Sequence, residues 1–410
     1  MPFDFDIEFY PKISEPLILN SLTEIKKNVK NWGIPFFRDV YSHSNLEEFK
    51  KICTNFVDGK EIKHLIVIGT GGSIQTLLVI EGLLKIKLHP IVSSRPRELN
   101  VVLKECPPSN SIVVPISRSG NTLDVNSTLN KFSEYRILPL SSRGPMFDYF
   151  EKRVEKIIPV PDLAGRFAAS ICSVVLIPAI LGFIDVDLFL KGLDESYSIF
   201  LNLDDPLNNK ALSFAIFLKS MYEKGYRNIF NMPYSSYLEG AAGLFVQELS
   251  ESTGKKEKGL FGSMQPAPFC QHSVLELLLG GSKGHTIPLI WSVEKEPNDI
   301  EISNPELELQ NITASEVICY QADATFQTLL EQNIPAAKIQ IKKIGVEDLA
   351  CTIAFIQSTV YLLCLLFNVD WESNPLVNSG KKICNEAIKN HLSAFERREN
   401  RKDITKSWKI

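Results

Sequence analysis

His64-Leu-Ile-Val-Ile-Gly-Thr-Gly-Gly-Ser73 is an apolar run that ends in a glycine turn. A helical pattern follows it to about residue 84. A short continuous apolar run fits a strand buried on both faces, and such strands belong to parallel sheets. The stretch therefore reads as strand, glycine turn, helix.

The alternation repeats on the C-terminal side. Residues 91–93 form a possible strand before a helix over 95–104, and 111–116 is a β-rich run followed by a turn and another helix. Residues 136–140 and 156–159 are further strand candidates, and 165–181 reads as a helix in spite of Pro178. Residues 182–205 read as a connector. A second alternation then places strands at 228–232, 286–291, 316–320 and 338–341, with helices between them and a long buried helix over 346–367. Alternating strands and helices imply parallel sheets with helices on both faces. The expected class is α/β, with two doubly wound parallel-sheet domains in tandem and helical extensions at both ends. The expected boundaries are an N-terminal arm over 1–40 with a helix near 22–30, a first domain over 41–190, a second over 191–370, and a C-terminal segment over 371–410.

Composition narrows the function classes. The 410 residues carry a net charge of -4 and 44% hydrophobic residues, ordinary values for a globular chain. No polybasic stretch points to nucleic acid or to an anionic membrane. The eight cysteines are scattered without a CxxC pair, which favours buried, reduced thiols over a zinc or disulfide framework. No His/Cys/Asp ligands stand at metal spacing, so no metal and no cofactor are expected. The acidic N-terminus lacks a basic segment followed by an apolar core, so the expected location is cytoplasmic. The run 351–367 is short and polar-interrupted for a membrane span and reads as a core helix.

Two strand-to-helix turns have the chemistry of anion sites. At Gly69–Ser73, glycines let backbone N–H groups approach an anion at the positive end of a helix, and Ser73 adds a hydroxyl. The turn lacks the third glycine of a dinucleotide fingerprint and the Gly-Lys-Ser/Thr of a Walker A loop. At Ser117-Arg-Ser-Gly-Asn-Thr122, three hydroxyls from Ser117, Ser119 and Thr122 surround Gly120. Hydroxyls and amides without lysine suit a phosphate that is held and not transferred. An N-cap cluster is the structural alternative.

The third feature is the helix that precedes Gly254, a residue suited to the left-handed position closing a helix. Leu238, Ala241, Ala242, Phe245 and Leu249 make one apolar stripe, while Gln247 and Glu251 stand one turn apart on the other side. Glu251 lies at the negative end of the helix dipole, where a carboxylate is mildly disfavoured. It is either a solvated acid or one placed there for chemistry.

With these residues in view, the chain resembles the phosphoglucose isomerase family, built from two sugar isomerase (SIS) domains. Gly69–Ser73 is similar to the family's Gly-x-Gly-Gly-Ser turn, so Gly72 and Ser73 are expected to bind substrate. Ser117–Thr122 is similar to its phosphate loop, although the internal wording differs. Ala164-Gly-Arg166-Phe resembles the Gly-Gly-Arg-aromatic motif, which implies that Arg166 stabilises an enediolate. Gln247-Glu-Leu-Ser-Glu251-Ser-Thr-Gly-Lys255 resembles the catalytic-base motif, with Glu251 as base and Gln247 in binding. Gln271-His272-Ser273 resembles the motif of the ring-opening histidine, which in the family reaches the neighbouring subunit. Asn374-Pro-Leu-Val-Asn-Ser-Gly-Lys381 resembles the C-terminal lysine motif, with Lys381 in catalysis and Asn374 in place of a glutamine. Six motifs fall in the family's order. The resemblance implies interconversion of glucose 6-phosphate and fructose 6-phosphate without cofactor or metal. It also implies a homodimer, a sugar phosphate as partner, and neither nucleic acid nor membrane. The other readings are a bifunctional phosphoglucose/phosphomannose isomerase or another SIS-domain phosphosugar isomerase, and a non-catalytic sugar-phosphate sensor. The basic residues Arg397, Arg398, Arg401, Lys402, Lys406 and Lys409 read as a solvated tail.

Overall fold

A computed structural model describes residues 5–281 and 285–400. The basic-tail expectation falls on residues 401–410 and on the side chains of Arg397 and Arg398, which lie outside the described ones. The chain divides into two compact units, the first reaching Trp371 and the second starting at Glu372.

The first unit holds two main sheets. Strands are named in chain order: β1 Phe5–Tyr10, β2 His64–Ile68, β3 Lys87–Ile91, β4 Ser111–Pro115, β5 Arg136–Ile137, β6 Asn228–Pro233, β7 Phe261–Met264, β8 Thr286–Lys295, β9 Glu301–Asn304, β10 Leu309–Thr313 and β11 Ala336–Lys343. One sheet has the order β3-β2-β4-β5 and is parallel throughout. Single parallel bridges, Ile116 to Leu140 and Leu140 to Ile158, extend its edge. The other has the order β1-β11-β8-β6-β7, parallel except for β1. The fold is therefore α/β with two parallel sheets, as expected. β9 and β10 form a separate antiparallel pair.

Leu65 to Ile68 in β2 and Ile112 to Val114 in β4 are fully buried, as a strand covered by helices on both faces requires. The helix Val346–Phe367 is buried from Asp348 to its end. It is long and apolar enough to cross a membrane, yet here it is the core around which helices Glu15–Trp32, Val186–Phe200, Lys210–Glu223 and Glu239–Thr253 pack. Asn368 closes it in the left-handed region at φ 51°, which asparagine tolerates.

Several elements differ from the sequence expectation. Residues 316–320 are helical, inside Ala314–Glu331, because Thr313 and Glu316 make a capping box that starts the helix there. The connector 182–205 contains the helix Val186–Phe200, which Asp185 caps by accepting from the Leu188 N–H at 3.0 Å. Residues 165–181 do not form one helix. Cys172, extended at φ -133° and ψ -179°, separates Gly165–Ala168 and a following 3-10 turn from Ser173–Leu181. The N-terminal arm carries an unexpected strand, β1. Its alternation of Phe5, Ile7 and Phe9 with acids gives it one apolar face, and Phe5 lies 4.6 Å from Phe355 between ring centroids.

The second unit is a 3-10 turn at Pro375–Val377 followed by the helix Asn378–Asn400.

Candidate active site

In the first sheet, β2 runs to β3 on one side and the chain then returns to β4 on the other. The order therefore reverses between β2 and β4. Open α/β sheets bind ligands outside the carboxyl ends of strands at such a switch point. The turns after β2 and β4 are Gly69–Ser73 and Ser117–Thr122, so the topology sets the two predicted anion turns side by side.

The first turn is packed tightly against Arg166. A Cβ on Gly72 would stand 2.4 Å from the Arg166 Cα, so only glycine lets these backbones approach. Ser73 is half-buried one residue on. Arg166 itself is buried, and its fork is fully directed. Nε donates to Ser252 Oγ at 2.9 Å, Nη1 to Glu251 Oε1 at 3.4 Å, and Nη2 to the Trp371 carbonyl at 2.6 Å. The Arg166 side chain is 4% exposed and that of Glu251 is 25% exposed, so the pair is formed at the mouth of a buried cation. Gln247 Nε2 donates to Glu251 Oε2 at 3.2 Å, fixing the carboxylate from the preceding turn of the same helix. That helix, Glu239–Thr253, buries Ala241, Ala242, Phe245 and Leu249 on its other side. Gly254 ends it at φ -71°, not in the left-handed region expected; positive φ falls instead on Lys256 and Glu257.

The second turn is a closed hydroxyl cluster. Ser117 Oγ and Thr122 Oγ1 lie 2.8 Å apart, the Thr122 N–H donates to Ser117 Oγ at 3.4 Å, and the Asn121 N–H donates to Ser119 Oγ at 3.4 Å. Gly120 sits at φ +67°, and a Cβ there would meet the Arg143 carbonyl at 2.2 Å. Arg118, a departure from the family's wording, has a structural task. It donates to the Leu163 carbonyl and pairs with Asp162 at 3.3 Å, tying the hydroxyl loop to the segment that leads into Arg166.

The structure thus brings together Gly72, Arg166, Gln247 and Glu251 in one group, and Ser117, Ser119 and Thr122 in another. His272 stands outside both. It is exposed at the end of the 3-10 turn Phe269–His272, which is anchored by buried Cys270 and by Gln271, whose Nε2 donates to Tyr234 Oη and to Thr325 Oγ1, each at 2.6 Å. Asn374 and Lys381 belong to the second unit, where both are exposed.

Sequence reading passed over four groups that shape the site. Ser252 and the Trp371 carbonyl hold Arg166. Glu248 is completely buried; its Oε1 accepts from Gln357 Nε2 at 2.8 Å, and that same nitrogen donates to the Arg166 carbonyl at 3.1 Å. Burial pushes the Glu248 carboxyl well above its ordinary range, against the pull of Gln357 and Arg166. The available signal was Gln357 itself, an amide inside an apolar helix that demands a buried polar partner. Lys255, in the quoted motif, donates to the carbonyls of Ser252 and Asp370, and burial lowers its pKa. A grouping of metal-ligand types, not expected from spacing, also exists away from this site: His64, His89 and Cys106.

The closing observation is likeness over the full length. A glucose-6-phosphate isomerase of Methanocaldococcus jannaschii is 26% identical over 386 residues, covering 90% of this chain and 93% of its own. Over nearly its whole length the chain is similar to glucose-6-phosphate isomerases. A hypothetical protein of Thermus thermophilus superposes with a TM-score of 0.82 at 19% identity, over 93% of this chain and 100% of that one. A glucose-6-phosphate isomerase of Chlamydia trachomatis superposes at 0.76 with 17% identity, over 97% and 92%. No family model matches the chain.

Proposed function

We propose that this protein interconverts glucose 6-phosphate and fructose 6-phosphate by ring opening and proton transfer through an enediolate. The observation that carries the proposal is the Arg166–Glu251 pair at 3.4 Å, built beside the glycine turn of a sheet switch point. The names of the full-length relatives support the same reaction.

The chemistry needs a base that can address two adjacent carbons and a fixed cation for the anion that forms between them. Glu251, held by Gln247, takes the proton from one carbon and returns it to the other. Arg166 is locked by three acceptors, so its guanidinium is in place before the enediolate develops. Ser117, Ser119 and Thr122 hold the phosphate, whose binding energy positions the reacting end, with Gly72 and Ser73 beside it. His272 and Lys381 exchange protons with the ring oxygen and anomeric hydroxyl, and Asn374 contacts substrate; these three assignments rest on their motifs.

His272 acts in the site of a second subunit. Its exposure supports this, as does the apolar surface near it in the chain: Phe269 is 69% exposed and Leu277 is 61% exposed. All eight cysteines are free, which supports a reducing, cytoplasmic setting. The test is a coupled dehydrogenase assay of the purified protein with fructose 6-phosphate and, separately, mannose 6-phosphate. Turnover of fructose 6-phosphate to glucose 6-phosphate is expected. Turnover of neither sugar would contradict the proposal, and turnover of mannose 6-phosphate alone would replace the sugar.

A further inference from the structure

At the other end of β2 from the glycine turn, three metal-ligand side chains converge. β2 begins with His64, and β3, its parallel neighbour, pairs His64 with Lys87, so His89 is the diagonal neighbour on the same face. That face is covered by the helix Pro96–Glu105, whose C-terminal cap is Cys106. His64 Nδ1 and His89 Nε2 lie 3.0 Å apart, and one ligand atom from each of His64, His89 and Cys106 falls within 4.8 Å of the others. Along a five-residue strand the cluster is about 13 Å from the turn that begins the active site, so it is a separate place.

We propose that His64, His89 and Cys106 form a binding site for a thiophilic divalent cation of the zinc class, holding β2, β3 and the end of the covering helix together. The geometry is near what such an ion needs. Tetrahedral zinc with Zn–N of about 2.05 Å and Zn–S of about 2.3 Å sets its ligand atoms about 3.3 Å apart for N and N, and about 3.6 Å for N and S. The imidazole nitrogens already stand at close to that edge length, and the thiol needs to move by an ångström or so.

The surroundings favour a fixed site over a chance one. His89 and Cys106 are buried, and Cys106 joins an apolar cluster with Ile66, Ile91 and Val102, so only a small thiol shift is left to complete the site. The backbone of Cys106 is pinned by its own N–H to the Val102 carbonyl at 2.9 Å and by Tyr135 Oη, which donates to its carbonyl at 2.7 Å. His64 is half-buried, giving an ion a way in from solvent and a fourth position for water or the adjacent Glu105 carboxylate. Glu105 pairs with Lys87 at 3.2 Å, and its negative charge acts on all three ligand residues. On binding, the Cys106 thiol gives its proton to solvent and the thiolate takes the metal.

The experiment uses the full chain, stripped with a chelator and dialysed. Zn2+ is titrated by calorimetry and Co2+ by absorption. One tight equivalent is expected, with a sulfur-to-cobalt charge-transfer band. Cys106→Ser should abolish that band, and His89→Ala should weaken Zn2+ binding by more than the roughly 10–100-fold typical of losing an outer-shell partner. His64→Ala, at a half-buried position, guards against a variant that merely fails to fold; it should keep the wild-type circular dichroism and still lose affinity. The proposal is overturned if no saturable binding is found. It is equally overturned if binding persists unchanged in all three variants, since the metal would then sit on other groups. A folded His64→Ala variant with wild-type affinity also overturns it.

Discussion

Arg166 spends each of its three nitrogens on a different acceptor: a hydroxyl, a carboxylate and a backbone carbonyl. This division explains why its neighbours matter more than their exposure suggests. Glu248 lies behind the arginine, tied to it through Gln357, and has Arg166 and Glu251 as the charges acting on it. Burial raises its pKa, so as pH rises the unfolded chain loses this proton before the folded one does. The stability tied to the proton is complete below the ordinary glutamate value of 4.5 and is lost as pH climbs toward the raised folded value. Glu248→Gln carries no such proton. The difference in unfolding free energy, variant minus wild type, is therefore expected to increase between pH 5 and 8, by up to about 1.4 kcal/mol per pH unit. Denaturant melts across that range check it, and a flat difference would mean Glu248 is ionised in the folded chain. The residue was invisible to motif matching because it sits between two motif positions. Only the burial of its helix face on Val346–Phe367 gives it meaning.

At the scale of elements, the two turns after β2 and β4 stand side by side at the sheet's switch point. Both were readable from sequence, because an apolar run ending in glycines or hydroxyls has few other structural solutions. What sequence did not supply was why Arg-Ser-Gly-Asn serves in the second turn. The answer lies in Arg118 reaching Leu163 and Asp162, a contact between segments distant in the chain. Elements were misread where local pattern and capping competed. Residues 316–320 have strand-like composition, but the Thr313–Glu316 capping box sets them inside a helix. β1 was hidden because its polar alternate positions are acidic and its partner, β11, lies hundreds of residues away. The hydroxyl turn yields a kinetic prediction. On the proposed reading, Ser119→Ala combined with Thr122→Ala removes hydrogen bonds to a charged phosphate, and KM for fructose 6-phosphate should rise by the equivalent of about 1–3 kcal/mol with a smaller change in kcat. Steady-state kinetics decide it; an unchanged KM would remove the loop from phosphate binding.

At the scale of the whole molecule, the proposed reading sets His272 in the site of a second chain. Within the described residues Glu251 is turned toward Arg166, while His272 projects from an exposed 3-10 turn. If each site takes its glutamate from one subunit and its histidine from the other, subunits of Glu251→Gln and His272→Ala mixed under exchange conditions will regain activity that neither shows alone. The mixed dimer then contains one site with both native groups. Failure to regain activity, with subunit exchange verified by sedimentation or mass spectrometry, would place both groups in one chain's site. The proposed reaction turns on a single carboxylate, Glu251. Its most direct measurement is Glu251→Gln, assayed for turnover and, by calorimetry, for fructose 6-phosphate binding. The predicted result is a fall in kcat of at least the about 10²–10⁴-fold expected for a lost general base, with the dissociation constant staying in the same order of magnitude. Near wild-type turnover by that variant would contradict the account.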